Sequence, residues 1–128
     1  MDNKFNALLL VRVAVAMIFL SHSLHGIFNN TVNAFGEQYL NTVGFKPFGV
    51  FFAWVVILFE FFASILILAG KYIKWVSPGL ILILITGIVL VHFKEGWYVV
   101  GPGRNGMEFS CVLILLLIAI SLPERKRI

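Results

Sequence analysis

The sequence predicts an all-α integral membrane protein: a single domain over residues 1–128, folded as a four-transmembrane-helix bundle with both termini on the cytoplasmic side. Three observations carry that expectation. Four long apolar stretches divide the chain. Hydrophobic residues make up 60% of it and charged residues only 12%, far from the usual soluble balance. The basic residues gather at the segment ends, where they set topology.

The expected helices cover residues 5–26, 47–68, 73–93 and 106–122. About 20 apolar residues are enough to cross the hydrocarbon core of a bilayer, and the last stretch is short by that measure. Lys4 precedes the first stretch as in a leader peptide, but SHSLHG follows it where a small-x-small cleavage pattern would stand, so the segment reads as a retained span. Pro47 fits the first turn of a helix, Gly70 a helix end, and Pro123 the close of the last span. Pro78 falls in the first turn or two of the third helix, where a missing amide hydrogen costs least.

The connections differ in character. Residues 28–46 contain Asn29, Asn30, Asn33, Glu37, Gln38 and Asn41, polar enough for a short surface helix. Residues 70–74 make a tight hairpin. Residues 94–105, KEGWYVVGPGRN, mix aromatics with a Gly-Pro-Gly turn and should lie at the membrane interface, with Trp97 and Tyr98 as anchors. One side of the membrane then holds Lys4, Lys71, Lys74, Arg125, Lys126 and Arg127, and the other only Lys46, Lys94 and Arg104. The positive-inside rule places the richer side, and both termini, in the cytoplasm. The net charge of +4 is accounted for by topology, so nucleic acid is not expected as a partner. The lone Cys111 excludes an intrachain disulfide framework and reads as a small buried residue.

Two groups of polar residues stand inside the apolar stretches. Glu60 is the only ionisable residue in VFFAWVVILFEFFASILILA, residues 50–69. Such a carboxylate normally faces a bundle interior, a partner or a water cavity. Ala53, Glu60 and Ser64 fall within about 40° of one another on a helical wheel, a small and polar stripe that should face the bundle. Depth counting at about 1.5 Å per residue places Arg12 level with Glu60 on the adjacent helix. An intramembrane ion pair between Arg12 and Glu60, pinning the first helix to the second, is the preferred reading; a proton relay or substrate carboxylate is the alternative.

The second group lies at the outer end. His22 and His25 stand three residues apart near the end of the first helix, His92 near the end of the third, and Glu108 at the start of the fourth. Three imidazoles and a carboxylate suit a transition-metal or redox-linked site. In the plainer and preferred reading, His22 and His25 cap loop groups and Glu108 interacts with its own helix N-terminus. His92 also lies about 120° around its helix from Thr86, which with Gly79 and Gly87 marks the expected packing face.

The order of these residues resembles the DoxX family. RVAVAMIFLSHSLHG, residues 12–26, is similar to the first helix of that family, with its Arg, its apolar run and its His-Gly near the helix end. The likeness continues through Glu60, His92, the aromatic loop and Glu108, and covers nearly the whole chain. The chain departs at Ser23, at Gly26 and in the ending LPERKRI. The resemblance implies a four-helix protein of the bacterial cytoplasmic (inner) membrane, with Arg12, His22, Glu60, His92 and Glu108 as the residues that carry over. Some members serve as small subunits of thiosulfate:quinone oxidoreductase or of other redox complexes.

The leading functional expectation is therefore a small accessory subunit of a redox-linked, quinone- or sulfur-related assembly, in contact with lipid and with other membrane subunits or further copies of itself. A quinone or a metal is compatible with the outer cluster. No CxxC pair, flavin or nicotinamide fingerprint, or paired-His haem arrangement stands in the sequence, so electron transfer by the chain alone is not expected. A non-catalytic scaffold and a small proton-coupled transporter are the alternatives.

Overall fold

The computed structural model describes residues 3–101 and 104–122, with side chains from residue 7 onward. The side chain of Lys4 lies outside what is described, as do Arg125, Lys126, Arg127 and the expected stop at Pro123. Five α-helices occur among the described residues: α1 (Asn3–Phe28), α2 (Thr31–Phe35), α3 (Gly49–Ala69), α4 (Ile73–Leu90) and α5 (Glu108–Ser121). A wide π-type helical stretch, Gly36–Phe45, continues from α2, and a 3-10 turn, His92–Glu95, follows α4.

Among the described residues, three helices are long and apolar enough to cross a membrane: α1 over Ala7–Phe28, α3 and α4. The fourth apolar helix, α5, has 14 residues. Its rise of about 21 Å is shorter than a bilayer core of roughly 30 Å. α1, α3, α4 and α5 run alternately up and down, with α1 against α3 and α5, and α4 against the same two. Large apolar side chains point outward on all four, among them Met17, Phe62, Leu82 and Val112. A bundle apolar on its outer as well as its inner faces is suited to lipid.

All four long helices feed the main core: Val15, Ala16 and Phe19 from α1, Ala63 and Ile67 from α3, Leu80 from α4, Leu113 and Leu117 from α5. A second cluster, Val32, Leu40, Ala53 and Ile57, seats the first connection on α3. That connection carries the short helix expected of it and is tied down by side chains. Asn41 Oδ1 accepts the Gly49 amide at 2.9 Å, satisfying a donor that the start of α3 leaves free, and Trp54 Nε1 donates to Asn33 Oδ1 at 2.6 Å. Tyr39 donates its hydroxyl to the Leu90 carbonyl at the end of α4. Gly36 and Gly49 meet backbone to backbone: a Cβ on either would collide with main-chain atoms of the other segment.

Helix α3 stops where Gly70 turns left-handed (φ 74°), with the Lys71 amide bonded to Leu66 O at 2.9 Å. Two features of α4 correct the sequence reading. Gly79 packs against Phe59 of α3 as the expected face requires, but the buried positions are Ser77 and Leu80, and Thr86 is exposed and bonds Leu82 O along its own helix. It also ends at Leu90, short of residue 93, so His92 sits in the 3-10 turn and is free of the helical wheel.

Candidate functional site

Two polar links join α1 to α3. At the termini end, the Arg12 guanidinium donates from Nε to Ile67 O at 3.1 Å and from Nη2 to Leu68 O at 3.0 Å. These carbonyls belong to the last turn of α3, where main-chain acceptors lack helical partners and the helix dipole is negative. Toward the loop end, His22 Nδ1 lies 2.9 Å from Glu60 Oε2. The carboxylate is 5% exposed and the imidazole 69%, so the pair has one buried member and one open member. One proton lies between the ring nitrogen and the carboxylate oxygen, and whichever of the two groups holds it is the donor.

The expected Arg12–Glu60 pair is thus replaced by two separate links. The cause is register. Depths counted inward from the helix ends assume that the ends are flush, but Arg12 is level with the last turn of α3, so the first turns of α1 project past that turn. The ten residues from Arg12 to His22 on α1 then match seven to eight on α3. Glu60 meets the imidazole above, not the guanidinium below. The expectation that Glu60 faces the bundle holds, since Ala53, Glu60 and Ser64 are all buried.

The His22–Glu60 pair opens on a cavity of about 440 Å³ at the loop end. Ile18, Phe19 and His22 contribute from α1, Glu60 from α3, and Phe109, Ser110 and Leu113 from α5; His92, Val99, Asn105 and Gly106 close it above. His92 is held there by its Nδ1–H, which donates to Asn105 O at 2.7 Å. The segment after the 3-10 turn is folded over the cavity by main-chain bonds: Gly106 N to Tyr98 O (3.1 Å), Met107 N to Gly96 O (3.0 Å) and Glu108 N to Trp97 O (2.9 Å). Trp97 and Tyr98 are exposed on its outer side.

Of the four residues of the outer group, His22 and His92 line this cavity and the other two do not. Glu108 Oε1 accepts the Val99 amide at 2.9 Å and so fastens the strap that covers the site. His25 is exposed. Three residues turn a helix by about 300°, so with His22 on the flank of the buried stripe, His25 swings a further 60° outward. Among the described residues, no group of three or more His, Cys, Asp or Glu is placed to hold a metal ion. Cys111, expected to be buried, is half-buried.

Sequence reasoning missed Ile18, Ser110 and Asn105. Ser110 carried a usable signal, a polar residue one turn into an apolar helix on the same face as Leu113 and Leu117. Asn105 acts through its main-chain carbonyl, for which no side-chain signal exists. The arrangement can hold a small molecule with a polar end, offering imidazole and hydroxyl groups beside aromatic and aliphatic walls, and can accept or give a proton at the His22–Glu60 pair.

No curated protein and no solved structure matches the chain. The family model described as DoxX matches residues 7–93, from the first turns of α1 into the 3-10 turn after α4. Arg12, His22, Glu60 and His92 fall inside the match and Glu108 beyond it. With a family model covering most of its length, the chain belongs to the DoxX family of membrane proteins.

Proposed function

We propose that the protein is a small subunit of a redox-linked assembly in the bacterial cytoplasmic membrane, that it spans the bilayer four times with both termini inside, and that its loop-end cavity binds a quinone head group. The observation that carries this reading is the His22–Glu60 pair, half buried and half open, at the wall of a cavity with Phe19, Phe109 and Ser110. A volume of about 440 Å³ falls within the usual range for small-molecule sites. A quinone ring needs flat apolar walls and a donor at each carbonyl oxygen, and its reduction takes up protons together with electrons. His22 and Glu60 supply the proton exchange; the electrons come from a redox centre of a partner subunit.

The transporter reading has less support. Below Glu60, Val15, Ile67, Leu80 and Leu117 are fully buried, which sets an apolar layer between the pair and the termini end.

The test is titration of the purified full-length protein, in lipid nanodiscs, with the tail-less head group dimethoxymethylbenzoquinone. The wild type should bind it saturably, and His22→Ala should weaken binding by about tenfold, the loss of one well-placed hydrogen bond. Absence of saturable binding sinks the reading and favours the scaffold. Purification in mild detergent should also bring down an oxidoreductase subunit; recovery of homo-oligomers alone would count against the assembly.

A further inference from the structure

The cavity has a neighbour. A shallow apolar groove of about 330 Å³ runs along α1, lined by Met17, Ile18, Leu20, Ser21 and Leu24. Ile18 lines both the groove and the polar cavity, so a single side chain stands between the two. On the helical wheel His22, Ile18, Ser21 and Leu24 follow one another from the flank of the buried stripe out to the lipid face. The groove therefore leads from the imidazole to the membrane, and Met17, 63% exposed, lies at its outer side.

The boundary between α1 and α5 is where such a connection can exist. α1 lies closely along α3 and touches α5 more lightly. The side chains at that boundary next to the cavity are Ile18 on α1 and Phe109 on α5, the latter 48% exposed. His22 belongs to this same flank. Most of its ring is open although it lies within a helix that spans the membrane, where a polar group facing lipid is strongly disfavoured. A polar head beside it, attached to an apolar chain along the groove, satisfies both surfaces.

We infer that the site takes a membrane-resident amphiphile whose head enters sideways between α1 and α5 and whose prenyl or alkyl tail lies in the groove formed by Met17, Leu20, Ser21 and Leu24. This rests on the proposed head-group site and adds to it a tail subsite and a lateral route. A fully water-soluble substrate has no use for the groove. The tail already lies in lipid, so the groove adds affinity over the head alone through packing contacts along Met17 and Leu20, not through removal of methylene groups from water.

Nanodisc titrations with decylubiquinone and with dimethoxymethylbenzoquinone, which share one head group, test the inference. Ser21→Trp fills the groove from an exposed position, so the fold should survive it. Val89→Trp places the same bulk on the exposed face of α4 as a control. The expected result is that Ser21→Trp weakens decylubiquinone by about fivefold or more through lost packing and leaves the tail-less compound within about twofold, while Val89→Trp changes neither. Unchanged decylubiquinone binding in Ser21→Trp overturns the tail subsite and leaves the head site standing. Equal weakening of both compounds also overturns it, since the substitution then acts through the cavity. If the wild type binds neither compound, the head-group reading fails and the tail subsite falls with it.

Discussion

Arg12 and His22 sit on the same helix and both reach α3, yet the two ends of that helix pair are built for different work. At the termini end, the guanidinium is spent on main-chain carbonyls that need donors anyway, and Gly70 closes over it: a Cβ at that position would fall 2.5 Å from Arg12 Nη2. At the loop end, the link is between two side chains, one of them mostly open to a cavity. The closed link fixes register. The open one has a free edge, and free edges are where chemistry or binding takes place. A charged residue inside a membrane helix is thus not by itself a sign of function; whether its link lines a cavity decides.

Breaking the closed link should have the largest effect. Arg12→Ala removes two charge-assisted hydrogen bonds and strands carbonyls at the end of α3, so it should lower stability by about 3 kcal/mol, read by thermal or denaturant unfolding in mild detergent. Arg12→Lys should recover only part of this, because a single ammonium does not reproduce the two-pronged reach of the guanidinium. The seat of the first connection comes next. Gly49→Ala forces a Cβ into the Gly36 carbonyl and the Asn41 side chain and should cost about 2 kcal/mol in the same assay.

A double-mutant cycle sharpens the comparison itself. His22→Ala and Glu60→Ala should couple by about 1 kcal/mol, whereas Arg12→Ala and Glu60→Ala should add within about 0.5 kcal/mol. The opposite pattern would restore the Arg12–Glu60 pair and overturn the register described above. The smallest effect is expected at the loop surface, where Trp54→Phe removes one hydrogen bond to Asn33 and should cost less than about 1 kcal/mol.

Much of this was legible in the sequence because it depends on local pattern. The long helices follow from apolar runs and from stops such as Gly70, and the inward direction of Glu60 follows from its spacing to Ala53 and Ser64. Register between helices is a different kind of quantity. It depends on how far α1 overhangs α3, which no run length records, and one misjudged overhang exchanged the partners of Arg12, His22 and Glu60. The sequence does carry part of the register: a helix ending at Gly70 leaves carbonyls without donors, and an arginine near that height is a natural donor for them. The end of α4 at Leu90 is not legible in the same way. The turn that carries His92 inward is held by Tyr39 and by the Asn105 carbonyl, both distant in sequence.

The packed floor beneath the cavity has an electrical consequence. Glu60 stands near the middle of α3, and Phe19, Ala63 and Leu113 close the bundle just below that level. A proton arriving at the pair from the loop end therefore travels roughly half the helix and senses a fraction of the transmembrane voltage without ever crossing the membrane. At about 2.3 kcal/mol per charge for a full 100 mV, that fraction is at most about 1 kcal/mol. The protonation of this small well would then follow the energised state of the membrane that holds it.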